Sequence, residues 1–314
     1  MQRRRFLSGL AAGAAVAAGA QLHPHEAQGL RLSVTCDMFR GPDVRLPFDN
    51  PGRTDPRPQP ARKYPPEQAL ALTHASGYQG FEMFNWRDPA ERAAYRAAQK
   101  KFGLECVCIV ANKGVRTPGC SLVDPAEHEA FVEEIKKATA AAKEFGAKRL
   151  VVLSGMTREG VPRREQFDAC AAGLRAAVPW LENSGMTIVM EPINTLVTRP
   201  GFFLDTASEG FAILERVGSP NVKLLFDIYH VQVQEGNLIP LMRDNIDLIG
   251  HFHIGDHPGR HQPGTGEIHY RNVLRAIRDL EQGGKFSGFA SIEYHPTVPL
   301  GQTMGEVRRL ANFS

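Results

Sequence analysis

In the C-terminal half of the chain, four apolar runs in succession each carry a group that could do chemistry. Glu191 ends TIVME, Asp227 ends VKLLFD, His251 and His253 stand in LIGHFHI, and Glu293 stands in FASIEY. A lone carboxylate in such surroundings is strongly disfavoured unless it is paired or holds a metal. Three carboxylates and an imidazole gathered together would repel one another without a cation. That donor set suits one divalent ion, Mn²⁺ or Mg²⁺ first, with Co²⁺ or Zn²⁺ also matching. Side chains alternate along a strand, so His251 and His253 share a face and His253 lies nearer the carboxyl end. His253 is therefore assigned to the metal with Glu191, Asp227 and Glu293, and His251 is a packed, hydrogen-bonded histidine one layer down. Any one of these residues alone would read as a helix cap, a surface ion pair or a core histidine. The repetition is the signal.

Further polar residues fall near the same end of the chain's strands. Glu82 in GFEMF and Asn112 after LECVCIV point toward the mouth on register, and Glu82 reads as a residue supporting the ligands from behind. Glu267 in GTGEI reads either as a residue ordering the loop in which it stands or as a solvated acid. His257, His261, His269 and His295 crowd this region, and one metal has already used its ligands, so they are read as supporting or exposed.

Those groups need a scaffold that brings strand ends together. Apolar, β-branched runs occur at 30–36, 80–84, 104–110, 148–154, 187–191, 222–227, 248–254 and 289–294. Helical periodicity fills most gaps between them, in PEQALALTHAS, PAERAAYRAAQKKF, PAEHEAFVEEIKKATAAAKEF, REQFDACAAGLRAAVPWLENS and YRNVLRAIRDLEQ. Asp88-Pro89 and Asp124-Pro125 are helix starts, and Gly77, Gly103 and Gly146 follow helix ends. Eight strands alternating with helices predict an α/β fold, one (β/α)₈ TIM barrel over residues 28–314, with catalytic groups at the carboxyl ends of its strands. A doubly wound open sheet is the alternative, but no glycine-rich phosphate loop follows the first strand. The segment Arg40 to Pro66 is rich in Pro, Arg and Asp, and reads as a long loop over the mouth.

The chain has 314 residues, 37 Lys+Arg against 34 Asp+Glu, and 42% hydrophobic residues, proportions that exclude a disordered, collagenous or membrane-spanning chain. A chain cut after Ala20 holds 34 residues of each sign. The body is therefore neutral and gives no reason to expect nucleic acid. Residues 1–27 read as an export signal and short linker: Arg3-Arg4-Arg5-Phe6-Leu7 resembles the twin-arginine (Tat) motif, an apolar run follows, and Ala18-Gly19-Ala20 fits a cleavage site. The expected location is the periplasm or beyond, reached through the Tat machinery, with no stable membrane insertion after cleavage. Five cysteines, Cys36, Cys106, Cys108, Cys120 and Cys170, lack zinc-ribbon spacing and read as buried thiols, with Cys106 and Cys108 on one strand face.

The stretches MEPINTLVTRPGFF, LLFDIYHVQVQEGNL, HFHIGDHPGRHQPGTGEIHY and ASIEYHP, in that order, resemble the hydroxypyruvate isomerase group of the xylose-isomerase-like sugar isomerases and epimerases. They cover residues 187–296; GFEMFNWRDPAERAAYRAAQKKFGLECVCI resembles the group more loosely. The resemblance implies metal ligands at Glu191, Asp227, His253 and Glu293, an acid/base pair in Glu191 and Glu293, and substrate-oxygen contacts from His230 and Arg260. It implies that a hydroxy-carbonyl compound, a small sugar or hydroxy-keto acid such as hydroxypyruvate, binds the metal through two oxygens and isomerises through a metal-stabilised enediolate. At the strand-seven ligand some hydroxypyruvate isomerases resemble this chain less, having an amide, whereas ketose epimerases have histidine. A metal-dependent lyase or hydrolase of keto-sugars or keto-glycosides and a non-catalytic sugar-binding barrel remain alternatives, and a homo-oligomer is compatible with all of them. The superfamily's abasic-site endonucleases differ: their early histidines are missing here, and Gly259-Arg260-His261 lacks their Asp-X-His pair.

Overall fold

The computed structural model describes residues 30–39, 64–112 and 120–313. In chain order these form β1 (Leu32–Thr35), α1 (Pro66–Ala75), β2 (Gly80–Met83), α2 (Pro89–Phe102), β3 (Glu105–Val110), α3 (His128–Phe145), β4 (Arg149–Leu153), α4 (Arg163–Ser184) and β5 (Thr187–Glu191). There follow α5 (Ala207–Val217), β6 (Val222–Asp227), α6 (Ile228–Gln234), α7 (Leu238–Asp244), β7 (Ile249–Ile254), α8 (Tyr270–Gln282), β8 (Ala290–Ile292) and α9 (Leu300–Leu310). Neighbouring strands pair in parallel, and β8 closes on β1 through Leu32↔Ala290 to Val34↔Ile292. This closed barrel is the fold expected from the alternation, and the closing pair rules out the open sheet. The export signal, its cleavage after Ala20 and most of the Arg40–Pro66 segment lie outside the described residues. That segment ends differently from the expectation at one point, since Pro66 is already the first residue of α1. Among the described residues no helix is long and apolar enough to cross a membrane.

Local chemistry sets the element boundaries. The Asp88 carboxylate accepts from the backbone N–H groups of Ala90 and Glu91 at the start of α2, and Gly103 ends that helix at φ 66. Asp124 caps a short 3₁₀ turn ahead of α3 instead of α3 itself. Helices α5, α6, α7 and α9 form where no periodicity was noted; α6 and α7 are seven residues each, too short for a 3.6-residue repeat to show.

The strands bury both faces. Outward side chains pack under the helices: Phe81 of β2 stacks on Tyr95 of α2, ring centroids 5.8 Å apart, and meets Phe145 of α3 edge-on. Inside, Val107, Val151, Val189, Leu225 and Phe289 form an apolar layer toward the amino ends. A bulge in β3 skips Val107 in the pairing, with Phe81↔Cys106 followed by Glu82↔Cys108. The two cysteines therefore do not share a face as simple alternation requires. Cys106 packs with the helix-facing core, and Cys108 turns inside with Val107. All five cysteines are buried and none is in a disulfide. Burial raises the thiol pKa of Cys106, Cys108 and Cys170, which keeps them protonated and unreactive.

Candidate metal and active site

Above the apolar layer the barrel interior turns polar on one side. Asp227 and His253 are registered partners on β6 and β7, Glu191 is the last residue of β5, and Glu293 immediately follows β8. One ligand atom from each of Glu191, Asp227, His253 and Glu293 lies within 4.8 Å of all the others. The four side chains assigned to the metal from sequence thus meet at one point. His253 Nδ1 is 2.7 Å from Glu293, 3.6 Å from Glu191 and 4.0 Å from Asp227, yet out of line for a hydrogen bond to any of them. Three carboxylate oxygens and one imidazole nitrogen converging from four strands form an open donor set. Its composition fits a hard or borderline divalent ion.

The carboxylates are not electrically equivalent. Burial pushes the Glu191 pKa up to about 7, and the neighbouring Glu293 charge adds to the effect. Burial acts the same way on Asp227, raising it. On Glu293 burial is overridden by the Arg260 and His253 charges, which hold that carboxyl well below the usual range. For His253 burial favours the neutral ring, but the carboxylates of Glu82 and Glu293 raise its pKa well above the ordinary value. Two carboxylates side by side, one poised near neutrality and one firmly ionised, make an arrangement in which a proton can be held by one and shunned by the other.

Arg260 joins this group directly. Its guanidinium donates to Asp227 Oδ2 at 2.7 Å and to Glu293 Oε2 at 2.8 Å. The loop after β7 holds it there with its backbone in the left-handed region, φ 52, a conformation that costs a non-glycine residue about 1–2 kcal/mol. Hydrogen bonds from His295 N to Arg260 O and from Asp256 N to His261 O fix the turn.

The residue organising that loop is Asp256, which the sequence reading did not single out. Its carboxylate accepts from the backbone N–H groups of His257, Gly264, Gly266 and Ile268. Gly266 is required here, because a Cβ would lie 2.0 Å from the His257 carbonyl oxygen. Glu267, the acid expected to order the loop, is exposed and accepts from Gln232. The available signal was an Asp heading a loop rich in Gly and Pro, where a short carboxylate commonly gathers backbone amides.

His230, on α6, reaches the site through a chain of local hydrogen bonds. Asp227 Oδ1 caps α6 by accepting from Tyr229 N and His230 N, which leaves Oδ2 for the cluster. Asn194, three residues beyond Glu191, accepts from Val197 N and Thr198 N through its carbonyl oxygen, so its amide nitrogen faces His230 Nδ1 at 2.7 Å. Nδ1 must then accept, and the ring proton sits on Nε2, 3.6 Å from Asp227 Oδ2. Burial, reinforced by the Arg260 charge, pushes the His230 pKa well below its ordinary value, so this donor is neutral. Asn194 was also missed; nothing in MEPIN marks its amide except its place just past a strand.

Of the remaining sequence candidates, His251 is fully buried and donates to Glu82 at 2.7 Å, the packed role expected of it. Glu82 is also fully buried, one layer below the cluster. Asn112 does not enter the site: its amide bridges β3 to β4 by exchanging hydrogen bonds with Leu153 N and O. His261 bonds the His295 carbonyl and His269 caps α8, both away from the ligand group.

A single parallel barrel with its ionisable residues at the carboxyl mouth defines the class, and comparison with known proteins gives the family. Residues 70–311 match the xylose isomerase-like TIM barrel family, and the chain belongs to it. Among its relatives, a putative hydroxypyruvate isomerase of Homo sapiens is 32% identical over 235 residues, covering 72% of this chain and 83% of that protein. The hydroxypyruvate isomerase of Escherichia coli is 33% identical over 172 residues, 55% of this chain and 65% of that one. Solved structures with the same fold include a family 2 AP endonuclease from Brucella melitensis (TM-score 0.71, 22% identity, covering 89% of this chain and 98% of that one). A D-allulose 3-epimerase from Methylomonas sp. in complex with D-allulose has TM-score 0.64 and 19% identity, covering 90% and 94%.

Proposed function

We propose that this protein is a divalent-metal-dependent isomerase or epimerase of a small hydroxy-carbonyl compound, a hydroxy-keto acid of the hydroxypyruvate kind or a related free sugar. The observation that carries the reading is the convergence of Glu191, Asp227, His253 and Glu293, with Glu191 and Glu293 held in opposite protonation tendencies. Relatives named as hydroxypyruvate and 2-oxo-tetronate isomerases support the reaction class, because both names denote an isomerisation. Those four residues would hold the ion, and Mn²⁺ or Mg²⁺ is the first choice for an oxygen-rich set. Bound there, it would supply Lewis acidity to a carbonyl and an adjacent hydroxyl.

The chain's own groups supply the rest. Glu293, held ionised by the Arg260 and His253 charges, takes the carbon-bound proton as general base. Glu191, poised near neutral pH and able to arrive protonated, returns a proton to the neighbouring carbon for isomerisation, or to the opposite face of the same carbon for epimerisation. The neutral His230 donates a hydrogen bond from Nε2 to a substrate oxygen. Arg260 supplies fixed positive charge where an enediolate would develop negative charge. The same proposal puts this chemistry outside the cytoplasm, a reading supported by the twin-arginine motif. Replacing Arg3 and Arg4 by Lys should leave the full-length precursor in the cytoplasm on cell fractionation.

Incubating the Mn²⁺-loaded protein with hydroxypyruvate, free ketoses and keto-glycosides in D₂O tests the function. Isomerised or epimerised product carrying deuterium at the reacting carbon is expected. Release of a second sugar from a keto-glycoside would instead establish the lyase reading, and absence of exchange with every substrate would overturn catalysis.

A further inference from the structure

The polar layer beneath the ligands contains a carboxylate with no direct place in the proposed chemistry. Glu82 comes from β2, on the far side of the closing β1–β8 pair from β7, and is fully buried. Its Oε1 lies 2.7 Å from His251 Nε2 and 3.1 Å from His253 Nε2, and its Oε2 is 3.3 Å from His253 Nε2. His251 Nε2 also contacts Ser291 Oγ at 3.1 Å, and Ser291 is hydrogen-bonded to Ser33, so the network continues through β8 to β1. Register shifts in the β2/β3 and β6/β7 pairings occur at Phe81/Glu82 and Leu224/Leu225, beside the strand positions that carry Glu82 and His251. Such irregularities re-aim side chains.

An ionised carboxylate only accepts hydrogen bonds, so both imidazoles must present N–H from Nε2. A ring that binds a metal is neutral, so in metal-bound His253 this leaves Nδ1, the atom facing Glu191, Asp227 and Glu293, as the lone-pair side. We propose that Glu82 is the positioning residue of the metal site: it fixes the ring orientation and tautomer of His253, with His251 as the second donor that keeps its charge satisfied in the core. This rests on the metal-dependent reading above. A carboxylate behind a metal-binding histidine raises its basicity and fixes its tautomer, and losing that partner typically costs 10–100-fold in metal affinity.

Glu82→Gln tests the assignment. Its amide removes the negative charge and sets N–H donors either at the oxygen that both rings share or at the one 3.3 Å from His253 Nε2, so a contact that held the His253 Nε2 proton turns repulsive. Zn²⁺ and Mn²⁺ affinities, measured by chelator competition, should fall about 10–100-fold, while the metal-free protein keeps its melting temperature within a few degrees. Long-range ¹H–¹⁵N correlation spectra of the Zn²⁺-loaded wild type should show His253 protonated at Nε2 and ligated through Nδ1, and that measurement decides the matter even if the variant does not fold. A wild-type His253 ligated through Nε2, or a folded variant with unchanged affinity and ring signals, overturns the role of Glu82 alone. A wild type that binds no divalent ion overturns the metal reading as well.

Discussion

Strands β1–β4 and β5–β8 are built alike, yet the two halves of the barrel end in different chemistry. The second half ends in Glu191, Asp227, His253 and Glu293, all directed to one point. The first half sends inward Thr35, Glu82 and Cys108, and at the end of β3 Asn112 closes on the backbone of β4. Identical geometry therefore does not make identical sites. Grouping buried carboxylates costs stability, and in this structure Arg260 and the two histidines offset part of that cost. Among its described residues the first half gathers no second set of carboxylates; Glu82 and Cys108 group with His251 of β7, and the outward faces pack for stability, as in the stack of Phe81 on Tyr95.

The asymmetry implies that substitutions in the two halves fail differently. The largest effects belong to Glu191→Gln and Glu293→Gln, each expected to lower turnover by at least about 10²- to 10⁴-fold, the range for a lost acid or base. Solvent-deuterium incorporation measures it, and a double variant that remains active would break the acid/base assignment. In the first half, Phe81→Ala empties the space between α2 and α3 and should cost about 3–5 kcal/mol of unfolding free energy, read by denaturant titration. The folded fraction should retain its metal affinity and KM; a weakened affinity would mean that the packing behind β2 also holds Glu82 in place.

Arg260→Ala should destabilise the metal-free protein by about 3 kcal/mol, because it leaves Asp227 and Glu293 buried without their guanidinium partner. Added Mn²⁺ should restore much of that loss, since the ion replaces the missing positive charge. Thermal melts with and without metal check it, and an equal loss in both would argue against a cation among these carboxylates. The smallest effect compares two helix caps. Asp88→Ala removes only the α2 cap and should cost about 1 kcal/mol. Asp227→Ala removes the α6 cap and a ligand oxygen together, so chelator competition should detect weakened metal binding in Asp227→Ala and not in Asp88→Ala.

The second half was the more legible in the sequence for a physical reason. An ionisable residue at the end of an apolar run is conspicuous, and repetition on four strands marked the converging group residue by residue. Glu82 is equally buried and equally conspicuous, but its two imidazole partners are 169 and 171 positions away along the chain. A linear reading could place it near the site and could not pair it. Asp256 and Asn194 were illegible for the opposite reason, since each works through backbone amides close in sequence, which any loop Asp or Asn could do. The Cys106/Cys108 error came from alternation itself, because a bulge inserts one residue and reverses the inside/outside pattern beyond it.

Composition and pattern by themselves determined eight strands alternating with helices, a charge that balances over residues 21–314, and the residue types at the strand ends, because the periods of burial and the cost of lone buried charges are properties of the chain. Only the tertiary structure decided which carboxylate is poised near neutrality, which nitrogen of His253 faces the ligand group, and that Glu82 stands behind it. Those outcomes depend on distances across the barrel, where electrostatics and hydrogen bonding act between residues that the sequence keeps far apart.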